Sequence, residues 1–274
     1  MKIITKYTQR VIATDSLLCV GLDSAFEALP SRFKKEKHPQ FEFNRWIIDQ
    51  THQFTAAYKP NAAFYEARGN AGWGELQMTI EYLRHQYPEI MTILDAKRAD
   101  IGSTNEGYVK GIFDVMGFDA VTLHPYLGQE ALKPFLERDD KACIILCKTS
   151  NPGSGEIQDL EVRGRPLWQH VASEVASKWN TNQNCILVAG ATYPKQLAVV
   201  REIVGEMTLL IPGIGTQGGE VEPVLQAGLN SSKQGLIISA SRSIIFASDP
   251  AIAAEDLKEQ ITKIRTALLH RDKY

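Results

Sequence analysis

The chain has 274 residues, of which 44% are hydrophobic and 23% are charged, which is the ordinary composition of a globular protein. Its net charge of −2 gives no reason to expect a nucleic-acid partner, and no apolar run approaches the length needed to span a membrane. Residues 1–7 lack the apolar core of a signal peptide, and the four cysteines lie in apolar runs without a C-x-x-C pair, so we expect a cytoplasmic protein with buried, reduced thiols.

Short apolar runs alternate with helical patterns along the whole chain. The runs predict eight strands, at residues 17–22, 55–59, 91–95, 119–123, 142–147, 185–189, 207–211 and 235–240. Helices are predicted near 3–13, 73–87 and 103–116, after Pro194, and from Asp249-Pro250 to about Leu269. Eight strand–helix repeats predict an α/β fold with a parallel sheet closed into a single (β/α)8 TIM barrel over residues 1–274.

Two stretches do not fit this repeat. The polar residues 24–41 follow the first strand, and we interpret them as a surface insertion. Residues 149–165 follow the fifth strand and are rich in glycine, serine and asparagine. Because long loops of compact domains are often lids, we predict that residues 149–165 cover the active site.

The most informative stretch is Asp95-Ala-Lys97-Arg-Ala-Asp100, directly after the apolar run of the third strand. Charges at the end of a buried strand are costly unless they are paired or used. Residues two apart on a strand share a face, so Asp95 and Lys97 are expected to project into the same space and Arg98 away from it. A close carboxylate holds a lysine protonated and able to donate a proton. A structural ion pair is the alternative interpretation.

Polar residues also follow most of the other predicted strands, where barrels of this type carry their chemistry. These positions hold Asp23, Lys59, His124, Lys148-Thr-Ser150 and Ser241-Arg242. The glycines of segment 212–219 allow backbone N–H groups to turn around an anion, and Arg242 can direct two N–H groups at a phosphate. Because the loops after strands seven and eight form the common phosphate site of these barrels, we predict that Gly215, Gln217 and Arg242 bind phosphate.

Taken in order, these motifs resemble the orotidine 5′-phosphate decarboxylase family over essentially the whole chain. The resemblance rests on residues 95–104, Val20-Gly-Leu-Asp23, Tyr58-Lys-Pro-Asn61, Thr149-Ser-Asn-Pro-Gly153 and segment 212–219. Residues 94–98 and the phrase Leu123-His-Pro-Tyr126 are similar to the longer, mycobacterial-type (type 2) branch. The chain has Ser241 where many members have glycine, so the phosphate contact is expected from Arg242 more than from the backbone at 241.

The resemblance implies cofactor-free decarboxylation of orotidine 5′-phosphate to UMP and CO2 in de novo pyrimidine biosynthesis, with no metal. It implies a catalytic array made of Lys59, Asp95, Lys97 and Asp100, in which Lys97 protonates a carbanion at C6 of the pyrimidine. It implies substrate contacts from Asp23, Thr104, Ser150, Gly215, Gln217 and Arg242. It also implies a homodimer with a shared active site, in which Asp100 acts in the site of the partner.

Three alternatives share parts of this pattern. A Mg²⁺-dependent sugar-phosphate decarboxylase or hexulose-phosphate synthase would use the same barrel but would not need Lys59 or the Ser150 loop. A Schiff-base aldolase would need a neutral lysine, which flanking carboxylates disfavour. A non-catalytic pyrimidine-nucleotide sensor would bind UMP without turnover. We interpret His124 as structural, and Lys148 as either a charge at the edge of the site or a salt-bridge partner.

Overall fold

Eight parallel strands form a closed barrel at the centre of the protein. The computed structural model describes residues 2–214 and 220–271. The barrel strands are β1 (Leu18–Val20), β2 (Ala57–Tyr58), β3 (Met91–Arg98), β4 (Ala120–Leu123), β5 (Ala142–Lys148), β6 (Cys185–Ala189), β7 (Leu209–Pro212) and β8 (Leu236–Ala240). Neighbours in the barrel follow chain order, and β8 closes on β1 with Leu18 opposite Ile238. The predicted (β/α)8 barrel is confirmed, and each predicted strand overlaps an observed one.

Helices surround the barrel. Those of the described ranges are α1 (Ile3–Thr14), α2 (Ser31–Lys34), α3 (Pro39–Thr51), α4 (Ala62–Glu66), α5 (Gly69–Gln86), α6 (Gly102–Val109), α7 (Gly128–Leu136), α8 (Gly155–Gln158), α9 (Leu167–Glu174), α10 (Pro194–Val204), α11 (Val221–Gly228), α12 (Arg242–Ile245) and α13 (Pro250–Arg271). Short π-helical turns continue α6 and α9, at Lys110–Val115 and Val175–Trp179. The helices predicted from the sequence are all present, and the Asp249 carboxylate caps α13 by accepting the N–H groups of Ala251 and Ile252 at 3.0 and 3.1 Å.

The barrel strands are apolar on both faces because one face fills the barrel and the other packs against helices. Every residue of β6 and β8 is buried, which explains why β6 is apolar throughout and β8 is apolar except at Ser239. The helices bury only one face, as Leu76, Ile80 and Leu83 of α5 do. Each such side chain contributes roughly 1.5–3 kcal/mol when fully buried. This packing makes the barrel a firm base for the loops at the ends of its strands.

Helix α1 covers the N-terminal end of the barrel. The Tyr7 hydroxyl donates to the Leu236 carbonyl at 2.6 Å, and Lys6 forms an ion pair with Asp119 at 2.8 Å. The helix predicted near residues 3–13 therefore closes this end of the barrel. The opposite end, which carries the C-termini of the strands, is the open one.

Segment 24–41 is more regular than its polar sequence indicates. It contains a 3₁₀ turn, α2 and the start of α3. Phe33 is buried against Phe43, with 5.3 Å between their ring centroids. The Gln40 side chain donates to the Ser24 carbonyl at 2.8 Å. The segment packs onto the barrel, and its interpretation as an insertion stays a prediction.

All four cysteines are free and buried, as the sequence predicted. Burial raises the pKa of the Cys147 and Cys185 thiols to about 12, so they behave as small apolar side chains. In the part of the chain that the structure describes, no helix is both long and apolar enough to cross a bilayer.

Candidate active site

A cavity of about 430 Å³ opens at the C-terminal end of the barrel. Six of the predicted site residues line it, namely Asp23, Lys59, Asp95, Lys97, Ser150 and Arg242. Asp100 and Thr104 are not among the described residues that line this cavity. Gly215 and Gln217 lie outside the described residues. The structure thus brings these six side chains together from five segments that are far apart in the sequence.

Asp95 is the centre of the polar cluster in the cavity. Its Oδ1 lies 2.7 Å from Lys97 Nζ, and its Oδ2 lies 3.0 Å from Lys59 Nζ. The Thr122 hydroxyl donates to Oδ1 at 2.9 Å. Burial raises the pKa of the Asp95 carboxyl, but Lys59 and Lys97 outweigh burial and hold that pKa well below its usual range. Asp95 is therefore a carboxylate held between two ammonium groups.

Lys97 reaches this cluster through an irregular backbone rather than through strand alternation. It has a φ of +48°, a left-handed conformation that costs a residue with a side chain roughly 1–2 kcal/mol. The pairing of β3 with β4 shifts register between Leu94 and Arg98, which marks a bulge. The Lys97 N–H donates to Thr122 Oγ1 at 2.9 Å. The predicted contact between Asp95 and Lys97 is confirmed, but a bulge and a left-handed residue produce it rather than strand alternation.

Arg98 points away from the cavity, as predicted. Its guanidinium forms an ion pair with Glu66 and lies over the Tyr108 ring. His124 is also absent from the described residues that line the cavity, and its N–H donates to the Arg98 carbonyl at 3.1 Å. This position agrees with a structural interpretation of His124.

Lys59 is almost fully buried, with 5% of its surface exposed. Burial lowers the pKa of its ammonium, but Asp95 and then Asp23 outweigh burial and raise that pKa above its ordinary value. A lysine held protonated in this way is a poor nucleophile, which disfavours a Schiff base at Lys59. Asp23 Oδ1 is buried and has no hydrogen-bond partner among the described residues. That oxygen is available to accept a hydrogen bond from a ligand hydroxyl.

The segment after β5 brings Ser150 to the cavity. Gln158 fixes the residue before it, because its side chain accepts the Thr149 N–H at 2.9 Å and donates to Thr149 Oγ1 at 2.8 Å. Gly190, at the end of β6, leaves space for this segment, since a Cβ there would lie 2.8 Å from the Ser150 backbone. The glycine at position 190 is therefore explained by the close approach of the Ser150 segment.

Lys148 is a salt-bridge partner of Asp159 rather than a free charge at the edge of the site. Its Nζ lies 2.8 Å from both carboxylate oxygens of Asp159 and 3.2 Å from Ser154 Oγ. It also lies 4.9 Å from the centroid of the Tyr193 ring. The Lys148 side chain is 2% exposed and the Asp159 side chain 47% exposed. Lys148 therefore ties the 149–165 segment to the top of the barrel.

Arg242 also lines the cavity, as the first residue of α12, directly after β8. No hydrogen bond or ion pair joins its exposed guanidinium to the residues that the structure describes. Ser241 is packed at the end of β8, where its hydroxyl donates to the Gly21 carbonyl at 3.0 Å. A Cβ at Gly21 would lie 2.7 Å from the Ser241 Cβ, so glycine at 21 makes room for serine at 241.

The fold and the cavity define a (β/α)8-barrel enzyme that places a lysine–aspartate–lysine array and an arginine without a partner among the described residues in one cavity. The chain belongs to the orotidine 5′-phosphate decarboxylase / HUMPS family, which it matches over residues 16–257.

Individual relatives agree with this family. A protein named orotidine 5′-phosphate decarboxylase from Cellvibrio japonicus is 45% identical over 251 residues, which is 91% of each chain. The solved structure of Leishmania donovani OMP decarboxylase is 39% identical with a TM-score of 0.87, and the match covers 97% of this chain and all of that one. Leishmania donovani UMP synthase is 41% identical with the same TM-score, and the match covers 97% of this chain but 57% of that longer one.

Three cavity-lining residues, Asn61, Thr122 and Gln158, were not singled out from the sequence. Asn61 follows Lys59 in a motif that was recognised, and its bridge to Asp95 could have been inferred from neighbouring strands. Thr122 and Gln158 are uncharged residues in ordinary contexts and gave no signal.

Proposed function

We propose that the cavity binds orotidine 5′-phosphate and converts it into UMP and CO2 without a cofactor, which makes the protein a carboxy-lyase of de novo pyrimidine biosynthesis. The observation that carries this proposal is the Lys59–Asp95–Lys97 array in a chain 45% identical to a protein of that name. An ammonium group 2.7 Å from a carboxylate is a proton donor that remains charged until a stronger base forms beside it.

Lys97 is the proton donor in the proposed mechanism. When the bond from C6 to the carboxylate breaks, its electron pair stays on C6 and CO2 leaves. The Lys97 ammonium stabilises this carbanion and then transfers a proton to C6, forming UMP and a neutral amine that solvent reprotonates. Asp95 lies beside the departing carboxylate, and Lys59 keeps Asp95 ionised.

The remaining residues hold the substrate at a distance from C6. Asp23 accepts hydrogen bonds from the ribose hydroxyls, which gives a partner to its buried Oδ1, an atom that has none among the described residues. Ser150 contacts the amide edge of the pyrimidine, and Arg242 holds the phosphate with help from Gln217 and Gly215. Phosphate binding far from the reacting carbon then contributes to turnover as well as affinity.

The direct test is an absorbance assay of orotidine 5′-phosphate turnover with and without a chelator. We expect turnover that persists in EDTA, with UMP as the product. Loss of activity in EDTA with recovery on adding Mg²⁺ would favour the sugar-phosphate alternative. Tight UMP binding without turnover would favour the non-catalytic sensor.

Replacing Arg242 with alanine should raise the Michaelis constant about 10- to 100-fold, because hydrogen bonds to a charged group contribute roughly 1.5–3 kcal/mol each. As a control, the affinities for UMP and for uridine are measured on both the parent and the Arg242→Ala variant. The variant should lose affinity for UMP and keep its affinity for uridine, which lacks the phosphate. An unchanged Michaelis constant would refute this role for Arg242.

We also propose that the protein acts as a homodimer in which Asp100 and Thr104 enter the site of the partner. Two observations support this. Both residues lie on the rim but outside the cavity of their own chain. Beside them the loops after β3 and β4 expose three large apolar side chains, Ile101 at 60%, Tyr126 at 86% and Leu127 at 42%. An exposed apolar group of this kind suits a surface covered by a second copy of the chain.

Residues 149–165 are the proposed lid. The segment carries Ser150 at one end and a hairpin, Glu161–Val162 with Arg165–Pro166, at the other. Its connection to the barrel is the Lys148–Asp159 ion pair, whose carboxylate is about half exposed to solvent. A lid needs an attachment that holds the closed position and can be released, and this ion pair supplies one.

Replacing Asp159 with asparagine should raise the Michaelis constant about 10-fold and speed proteolytic cleavage within 149–165, because it leaves a buried ammonium without its counter-charge. Limited proteolysis with and without UMP, together with kinetics, measures both effects. Glu156→Gln is the matched control, since it removes the same charge from an exposed position of the same segment. Equal behaviour of the two variants would contradict the proposed attachment.

Two further assignments complete the proposal. The four free cysteines support a cytoplasmic location, where thiols stay reduced. Residues 94–98 and 123–126 support membership of the longer, mycobacterial-type branch.

A further inference from the structure

Thr122 of β4 joins the two central residues of the site through one hydroxyl group. Its Oγ1 accepts a hydrogen bond from the Lys97 N–H at 2.9 Å and donates one to Asp95 Oδ1 at 2.9 Å. The residue is buried, with 1% of its surface exposed. The direction of both bonds is fixed, because the backbone amide can only donate and an ionised carboxylate can only accept.

The bulge in β3 makes the hydroxyl necessary. In a regular parallel pair the N–H groups of one strand bond to carbonyl groups of the next. The register shift between Leu94 and Arg98 interrupts that ladder where Lys97 adopts its φ of +48°. The Thr122 hydroxyl is the partner that the Lys97 N–H finds there. The same hydroxyl also bonds to the Asp95 carboxylate, so Thr122 helps to set the distance between the Lys97 ammonium and that carboxylate.

We propose that Thr122 is a positioning residue, which holds the Lys97 backbone in its left-handed conformation and the Asp95 carboxylate at a fixed place relative to it. The inference deepens the proposed function, on which it rests for the role of Lys97. The Asp95–Lys97 ion pair alone does not fix the position of the ammonium group, because the long Lys97 side chain has 48% of its surface exposed. Strand alternation does not fix it either, because the strand is irregular at Lys97.

The test compares Thr122→Val, which keeps the shape and removes the hydroxyl, with Thr122→Ser, which keeps the hydroxyl. Misplacing a reacting group by about 1 Å costs roughly 10²-fold in rate, so we expect Thr122→Val to lower kcat about 100-fold. The Michaelis constant should change less than about threefold, because ribose and phosphate are held from other strands. Thr122→Ser should retain kcat within about threefold of the parent.

Thr92 provides a matched control. It is a buried β3 threonine at the other end of the barrel, and its Oγ1 likewise joins a backbone N–H to a carboxylate, both from Asp119, at 3.1 and 3.3 Å. Thr92→Val should lower thermal stability about as much as Thr122→Val does, but it should leave kcat unchanged. Equal losses of kcat in Thr92→Val and Thr122→Val, or a Thr122→Val variant with the parent's kcat, would overturn the inference.

A crystal structure of each Thr122 variant separates this inference from the proposed function. Lys97 should leave its left-handed conformation in Thr122→Val and keep it in Thr122→Ser. An unchanged Lys97 backbone in Thr122→Val would refute the positioning role whatever the parent's activity. Absence of orotidine 5′-phosphate turnover by the parent would instead refute the proposed function, and the Lys97 conformation would still decide the positioning role.

Discussion

Replacing Lys97 with alanine should lower the turnover of orotidine 5′-phosphate by about 10⁴-fold or more while UMP still binds. General acid catalysis contributes roughly 10²–10⁴-fold, and electrostatic stabilisation of the carbanion adds to it. Both are lost with the ammonium group, because Lys97 is the half-exposed one of the two lysines that contact Asp95, whereas the Lys59 side chain is almost fully buried. Single-turnover kinetics and a titration with UMP measure the two properties separately.

Arg98→Ala is the matched control for this experiment. It removes an adjacent positive charge whose guanidinium contacts Glu66 and not Asp95. Its turnover should stay within about twofold of the parent, since an exposed ion pair contributes little. Near-normal turnover by Lys97→Ala would end the proposed mechanism. Complete loss of UMP binding by that variant would instead assign Lys97 to substrate binding.

The barrel was predictable from the sequence because its physical causes are local. Strands that are buried on both faces are mostly apolar, as β6 is throughout and β8 is except at Ser239. Helix starts also carry local signals, such as the Asp249 cap. The path of segment 24–41 was less predictable, because its order depends on contacts such as Phe33 with Phe43 that the local sequence does not encode.

Among the residues that line the cavity, mainly the charged ones could be predicted from the sequence. Asp95 and Lys97 stand out because a charged pair after a buried strand needs a reason. Thr122 and Gln158 do not stand out, because a hydroxyl or amide in a strand or loop is ordinary until its partners are known. Lys148 shows the same limit, since only the fold brings Asp159 to it across eleven residues.

The Lys97 backbone is the clearest example of what sequence periodicity omits. Alternation along a regular strand predicts that residues two apart share a face. The structure reaches the same outcome with a bulge and a left-handed residue. Functional sites are where such local rules fail, because the chemistry requires a side chain where the regular geometry does not put it.

Mixing two inactive variants should restore activity if the sites are shared between subunits. In a heterodimer of Lys97→Ala and Asp100→Ala chains, one site receives both substitutions and the other receives neither. We therefore expect about half of the parent's activity per heterodimer, although each homodimer is inactive. The experiment uses two affinity tags on co-expressed chains, purification over both tags, and the orotidine 5′-phosphate assay.

The control is a heterodimer of Lys97→Ala and Asp95→Ala chains. These two residues lie 2.7 Å apart in one chain, so every site of that heterodimer lacks one of them. It should stay inactive even though its subunits associate equally well. Activity from the Asp100 mixture alone would place Asp100 across the interface. No activity from doubly purified Asp100 heterodimers would mean that Asp100 acts within its own chain, where its N–H and carbonyl bond to Asn105 and its carboxylate accepts the Ile101 N–H at 2.7 Å.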